Sequence, residues 1–442
     1  MIDRPTPHAK VALFQRIFRV SFASLSYLYV ISMAGIAAVM VYLMVHFKRS
    51  ALDPLTRNAL LFLSGALVLS CLFAFDRGEA FLQLVHFLPF FLLFSLLPYL
   101  MQGAERMERL AIDLVIATIP LNFLAAIEAM LKSNLIPRTL QRVPIVRWVR
   151  STPHAGRAML MFNHPNSLSV YLLMVLGLGL GVLFCQTIRH PGQPMRRPSL
   201  RTVLLYIGTY LTLLGIFSTG SRNGLLLAIV LVLLFSLLNR SNRIVLGSGL
   251  VSLAGLVFGA IWLGVGGRSI SLSWVNDARW RVWQIALDLI RERPWLGWGL
   301  GNYKFLYVDR LLARYPECQA ERLAKVVPVE CANVTHAHNF WLLLGAETGI
   351  FIAIGFTLFI GYLCFRGVKA LYANQLKPGD RAILVGYLFA FGSCTLFALF
   401  DVAYYDVRVN VMTWILLGGI YTLSQSPISG ATSESPSLPK SF

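Results

Sequence analysis

The stretch Thr335-His336-Ala337-His338-Asn339-Phe340-Trp341-Leu342-Leu343-Leu344-Gly345-Ala346-Glu347-Thr348-Gly349 closes a long polar loop and opens an apolar helix. Two imidazoles therefore stand where the chain leaves water. Imidazole changes charge near neutral pH, so a histidine fixed at such a boundary is suited to take a proton from an incoming hydroxyl. The rest of the chain decides what the apolar phase is.

Of 442 residues, 57% are hydrophobic and only 13% charged, and the mean hydropathy is +0.66. That leaves too little polar surface to cover a soluble globule of this size, so the chain belongs in a bilayer. Runs near the roughly 20 apolar residues that match the hydrocarbon thickness lie at 24–46, 58–75, 80–101, 109–131, 158–187, 201–218, 222–239, 243–265, 338–366, 381–400 and 407–424. Lipid cannot satisfy backbone amides and these runs are too long for barrel strands, so the expected fold is an all-α polytopic membrane protein. The first run is too long, and lacks the small-residue cleavage site, for a removable signal peptide.

The formal charge of +19 does not point to nucleic acid, because the basic residues sit in short loops between spans. Most of that excess anchors cytoplasmic loops. Two features go further. Arg far outnumbers Lys, and Arg suits planar bidentate contact with phosphate or carboxylate. Between Glu128 and Asp277 there is no carboxylate, yet Lys132, Arg138, Arg142, Arg147, Arg150, Arg157, Arg189, Arg196, Arg197, Arg201, Arg222, Arg240, Arg243 and Arg268 all fall there. A stretch without its own counter-ions is expected to meet external anions. Among the cysteines, Cys71, Cys185, Cys364 and Cys394 fall in or beside apolar runs and read as small buried hydrophobes. Cys318 and Cys331 lie in the long loop, where an oxidising compartment would join them.

Arg189, Arg196, Arg197 and Arg201 mark one side of the membrane, together with Arg240, Arg243, Arg366, Lys369, Lys377 and Arg381; the positive-inside rule makes that side cytoplasmic. The turn Ser218–Arg222, the loop 266–337 and the link Asp401–Asp406 then face outward. So does the basic connection 132–157, against the rule, which implies a functional demand for positive charge. Arg4, Lys10, Arg16 and Arg19 ask for the cytoplasm. If the run 11–47 folds as two short helices there are twelve spans with both ends inside; otherwise there are eleven and the amino terminus is external. Twelve is the working count. The chain divides into amino-terminal spans (1–131), the basic connection (132–157), central spans (158–265), a periplasmic lid (266–337), carboxy-terminal spans (338–424) and a Ser/Pro-rich tail (425–442) expected to be disordered. No internal repeat of the kind that builds many transporters is visible. Within the lid, Asn276 can cap a helix that Pro294 stops near Arg293, with Trp280, Trp283, Leu287 and Ile290 forming an indole-rich face for the membrane interface.

Three polar groups share the outer face. In Arg142-Val143-Pro144-Ile145-Val146-Arg147-Trp148-Val149-Arg150, Pro144 can open a short helix from which Arg147 and Arg150 project together, either toward substrate or toward anionic lipid. In Ser218-Thr219-Gly220-Ser221-Arg222-Asn223-Gly224, a tight turn sets Arg222 at the mouth of a helix, and an arginine at membrane depth is expensive enough to imply function. The third group is the histidine segment. His336 and His338 cannot share a helical face, so both serve only if His336 precedes the first turn. Zinc is a competing reading, but two imidazoles without a nearby Cys or acid make a weak ligand set; His154 and His164 could add ligands in space, although the proline beside each reads more simply as turn chemistry. Glu347 lies about two and a half turns beyond His338, and is expected to be paired inside the bundle. The glycines of Gly297-Trp298-Gly299-Leu300-Gly301-Asn302-Tyr303 fit neither a phosphate loop nor a dinucleotide fingerprint and read as a turn.

Ser221-Arg222 opening a helix, Arg279-Trp280-Arg281-Val282-Trp283 leading to Pro294-Trp295-Leu296-Gly297-Trp298-Gly299, and His338-Asn339 followed by Glu347 and Gly349 resemble the O-antigen ligase and polymerase superfamily. Twelve spans and a large loop before this histidine look like the lipid A-core:O-antigen ligases in particular. The motifs cover roughly 215–350; the amino-terminal third carries no signature. The resemblance implies a GT-C-like glycosyltransferase in a bacterial inner membrane with its site facing the periplasm. It would move a glycan from undecaprenyl pyrophosphate to a sugar hydroxyl of lipid A-core, with inversion and without metal, nucleotide or other cofactor. His338 would be the general base and Arg222 would meet the pyrophosphate, with Arg147 and Arg150 closing over it. Arg279, Arg281, Tyr303, His336 and Asn339 are further substrate-binding candidates. A polymerase, a ligase acting on a protein hydroxyl, and a flippase or transporter of lipid-linked glycans are the alternatives.

Overall fold

The computed structural model describes residues 7–47, 50–133, 136–137, 139–189, 199–238, 243–265, 278–319, 331–373 and 376–425. The tail after 425 and the expected caps and charges at Arg4, Arg138, Arg196, Arg197, Arg240, Arg268 and Asn276 lie outside them. Among the described residues the regular elements are helices: α1 Pro7–Ser24, α2 Tyr29–His46, α3 Pro54–Leu72, α4 Arg77–Gln83, α5 Leu88–Leu100, α6 Ala104–Ala117, α7 Ile119–Lys132, α8 Pro144–Ser151, α9 Pro165–Arg189, α10 Leu200–Ser218, α11 Arg222–Leu238, α12 Arg243–Leu263, α13 Ala278–Glu292, α14 Tyr303–Arg314, α15 Phe340–Thr348, α16 Ile350–Tyr372, α17 Pro378–Phe397 and α18 Val407–Ser424. Nine described segments are long and apolar enough to cross a membrane, as expected of a multi-pass protein.

Their boundaries follow local chemistry. Asp53 caps α3 by accepting Thr56 N at 3.0 Å, and Ser199 and Asp406 do the same for α10 and α18, satisfying amides that a helix start leaves orphaned. Proline opens α3, α5, α7, α8 and α17, where its missing N–H costs nothing. The run 11–47 folds as two helices, and they lie side by side, with Phe14 stacked on Tyr42 at 3.8 Å. Arg19 of α1 reaches Asp113, Nε to Oδ2 at 2.9 Å, and Arg201 holds the other oxygen at 3.1 Å. Arg19 of α1 and Arg201 of α10 thus meet on one carboxylate.

Helix α9 is the axis of the bundle: 94% of its span is buried. It meets α17 through small residues. A Cβ on Gly177 would lie 2.7 Å from Ala390 Cα, and Gly181 stands against Gly386. Backbones approach this closely only where side chains are minimal, the usual solution inside a membrane, where hydrophobicity does not drive helices together.

Three boundaries differ from the sequence reading. The span expected at 158–187 begins only at Pro165, because Glu128 Oε2 takes the amides of Met159 and Leu160 at 3.0 and 2.7 Å and Leu160 adopts φ 49°. The span expected at 338–366 is broken at Gly349, φ 87°, where Ile350 N turns to Pro294 O at 2.8 Å. Helix α13 buries Val282, Ile285, Ala286 and Leu289 instead of presenting one indole face outward. Trp280 and Leu287 are exposed, whereas Trp283 and Ile290 are half-buried. Cys318 and Cys331 form the expected disulfide.

Candidate active site

Asn339 caps α15, its Oδ1 accepting Trp341 N and Leu342 N at 3.0 and 3.1 Å, and Phe340 N donates to Ala398 O at 2.8 Å. These bonds pin the start of α15 to the end of α17. They bring His338 onto the link that follows, where its Nδ1 lies 3.1 Å from Asp401 Oδ1. His338 holds φ 48°, a conformation sparsely used by residues with a Cβ, and sustained here by bonds on both sides.

Asp401 is buried. Burial alone would raise its pKa, but hydrogen bonds from His338 and Asn166, together with the neighbouring imidazoles, outweigh it and hold the carboxyl well below the usual carboxylate range. Asn166 Nδ2 is the second side-chain donor. Asn166 Oδ1 in turn accepts Arg157 Nη2 at 2.7 Å, and Arg157 Nε donates to Thr219 O at 2.8 Å. A continuous chain of bonds therefore runs from the histidine to the turn that precedes Arg222. An ionised Asp401 accepts, so the Nδ1 of His338 carries the hydrogen and its Nε2 keeps the lone pair a base needs. His336 is placed differently. Its Nδ1 accepts His338 N at 3.3 Å, and burial pushes its pKa down to about 4, leaving a neutral ring.

The connection 132–157 reaches the same end of the bundle. Lys132 is buried and pairs with Glu128 at 2.7 Å while donating to Pro153 O and Arg157 O at 3.0 and 3.2 Å. Two basic residues of the carboxylate-free stretch, against expectation, find counter-ions inside the protein: Lys132 meets Glu128 and Arg201 meets Asp113. Arg150 is also structural, its Nη1 donating to Leu131 O and Ser133 O at 3.1 and 2.7 Å at the end of α7. Arg147 and Arg222 are exposed, Arg222 as the first residue of α11.

The lid candidates separate as well. Arg281 pairs with Glu317 at 3.2 Å and covers the Tyr315 ring at 4.5 Å, beside the disulfide. Arg279 is half-buried on the same helix. Tyr303 is only 1% exposed and bonds Val282 O at 3.0 Å; it is core, with no surface for a substrate. Asn339 uses its side-chain oxygen as a cap. Glu347 is buried without a cation. Its Oε1 accepts Tyr303 N at 3.3 Å, its Oε2 has no partner among the described residues, and burial pushes its pKa up to about 8. The glycines after Pro294 do form a turn, with positive φ at Gly297, Gly299 and Gly301. The turn is locked onto α15 by Trp298 N to Ala346 O at 3.0 Å and Gly299 N to Glu347 O at 2.7 Å. Sequence reasoning placed the Asp401–Asp406 link on the outer face but missed Asp401 itself. The available signal was two acids in a short link on a face otherwise rich in arginine.

Residues 207–360 match the Wzy_C family model, described as O-Antigen ligase. Over that region the chain is similar to the O-antigen ligase/polymerase superfamily. No curated protein matches the chain. The matched region contains Arg222, α13 and His338, while Asp401, Asn166 and Arg157 lie outside it. Two cavities lie near the His338–Asp401 pair, one lined by Asp401 and the other by the neighbouring His336 and Val402. One, of about 80 Å³, is apolar and runs from Asp401 between Phe340, Phe356 and Trp414. The other, of about 330 Å³, is polar and is bordered by His164, His336 and Val402. His336, His338 and Asp401 could each offer a metal-ligand atom, all within 4.8 Å of one another, but a metal taking Asp401 Oδ1 or His338 Nδ1 would compete with the bond between them. His154 and His164 do meet, ring centroids 4.5 Å apart; burial pushes His164 down to about 4.

Proposed function

We propose that this protein ligates O-antigen glycan from undecaprenyl pyrophosphate to a sugar hydroxyl of lipid A-core, at the periplasmic face of the inner membrane. The observation that carries the reading is the His338–Asp401 pair, tied through Asn166 and Arg157 to the turn bearing Arg222. Asp401 accepts the Nδ1 hydrogen of His338, and Nε2 takes the acceptor proton as the hydroxyl oxygen attacks the anomeric carbon. The glycosidic bond to pyrophosphate breaks on the opposite face, giving inversion. The departing pyrophosphate takes the electron pair, and Arg222 with Arg147 meets its charge. The apolar cavity beneath Asp401 offers a place for the start of a prenyl chain. No step calls for a metal or a nucleotide.

Purified protein in detergent, given lipid-linked glycan and lipid A-core, is expected to glycosylate the lipid A-core. His338→Ala should lower the rate by about a hundred- to ten-thousand-fold, the usual range for a general base, and Asp401→Asn by about a hundredfold or more, both with donor binding retained. A wild-type rate in His338→Ala would overturn the assignment. Elongation of the donor-linked chain instead of the lipid A-core would make the enzyme a polymerase.

A further inference from the structure

The larger cavity beside the histidines has a composition that selects its occupant. Gln83, Lys304, Thr335, Asn163 and Asp406 line it together with His336. Its volume of about 330 Å³ falls in the range of roughly 300–1,000 Å³ typical of small-molecule sites. At about 30 Å³ per water it has room for about ten, enough for a single monosaccharide ring.

Its formal charges are compensated. Lys304 Nζ is held by Glu79 Oε1 at 2.9 Å, and Asp406 by Arg408 at 3.2 Å. Glu79 Oε1 also takes Gln83 Nε2 at 2.6 Å, so the amide is fixed with its carbonyl turned the other way. That carbonyl, Gln83 Oε1, is buried and has no hydrogen-bond partner among the described residues. A buried acceptor left unpaired is costly unless a ligand donates to it. A phosphate group is mostly the dianion at neutral pH, an acceptor, and would find no uncompensated cation, whereas a sugar hydroxyl donates.

We infer that this cavity is the subsite for the terminal acceptor sugar and that it selects an uncharged pyranose over a phosphorylated one. The inference rests on the transferase reading above and deepens it. The two cavities then divide the substrates: lipid on the apolar side of the His338–Asp401 pair, acceptor sugar on the polar side. His336, whose ring lies 4.4 Å from that of His338, borders the sugar and hands its hydroxyl toward the base.

The test uses the full-length protein with two acceptors, lipid A-core ending in a neutral hexose and the same acceptor phosphorylated on that hexose. Wild type should prefer the neutral acceptor by about tenfold or more in kcat/KM. Gln83→Leu should raise the acceptor KM about tenfold, the loss of one hydrogen bond, with kcat and donor affinity unchanged. Thr335→Val, at an exposed position, should raise the same KM without risk to folding. Transfer that proceeds with unchanged acceptor KM in both variants, or equal use of the phosphorylated acceptor, would overturn the subsite alone. Absence of transfer to either acceptor by wild type would overturn the transferase reading beneath it.

Discussion

Arg157 and Arg222 stand on either side of one turn and differ in use. The guanidinium of Arg157 is committed to Thr219 O and Asn166 Oδ1, so it positions Asp401 from behind. Arg222 is exposed at a helix start, where the backbone amides add their own attraction for an anion. Arg222→Lys keeps the charge but loses the planar fork; it should lower kcat at least tenfold with acceptor KM unchanged, and a normal kcat would reduce Arg222 to a charge or packing role. At this scale the sequence made His338 and Arg222 legible because each sits at an abrupt change of polarity. Asp401 is 63 residues from His338 and Asn166 is 235 residues from Asp401; no local pattern announces partners that only the bundle brings together. Arg150 and Tyr303 are of types that suit binding, but Arg150 Nη1 is spent on the end of α7 and the Tyr303 hydroxyl on α13, which no local pattern shows.

Among the elements, α15 carries the sharpest pH signature. Glu347 is raised to about 8, so the fold favours its protonated form. That stabilisation is complete below the unfolded carboxyl value and is lost as pH rises toward the folded one. Wild type should therefore lose thermal stability between about pH 5 and 8, by an amount on the order of a few kcal/mol. Glu347→Gln has the same shape and does not titrate, so its melting temperature should fall less over that interval. Equal slopes in the two proteins would show that Glu347 ionises freely. The break between α15 and α16 was hidden in the sequence because apolar residues run on both sides of Glu347-Thr348-Gly349, and a single acid or glycine inside an apolar helix has other uses. The run 11–47 illustrates the reverse case, where length alone suggested two helices.

For the whole molecule, the bundle depends on how closely α9 approaches α17. Gly177→Leu would drive a side chain into Ala390 backbone and is expected to abolish the monodisperse folded protein in detergent, read by size-exclusion chromatography; a folded, active variant would mean that the two helices can part. Span positions were legible where an apolar run matches one crossing, because lipid imposes one length scale on it, whereas the runs 158–187 and 338–366 were cut by local bonds. The sequence did not show which helix sits at the centre, since α9 and its neighbours are equally apolar. The turn 294–299 gives a final consequence. Pro294, Trp298 and Gly299 bond to residues 346–350, the same short segment that follows the histidine. The turn and the segment that follows His338 are thus tied together, and on the proposed reading any opening of the lid near that turn would carry the base away with it. On that reading, substrates would pass between helices without that turn moving, and turnover would respond to the fluidity of the surrounding lipid more than to the flexibility of the lid.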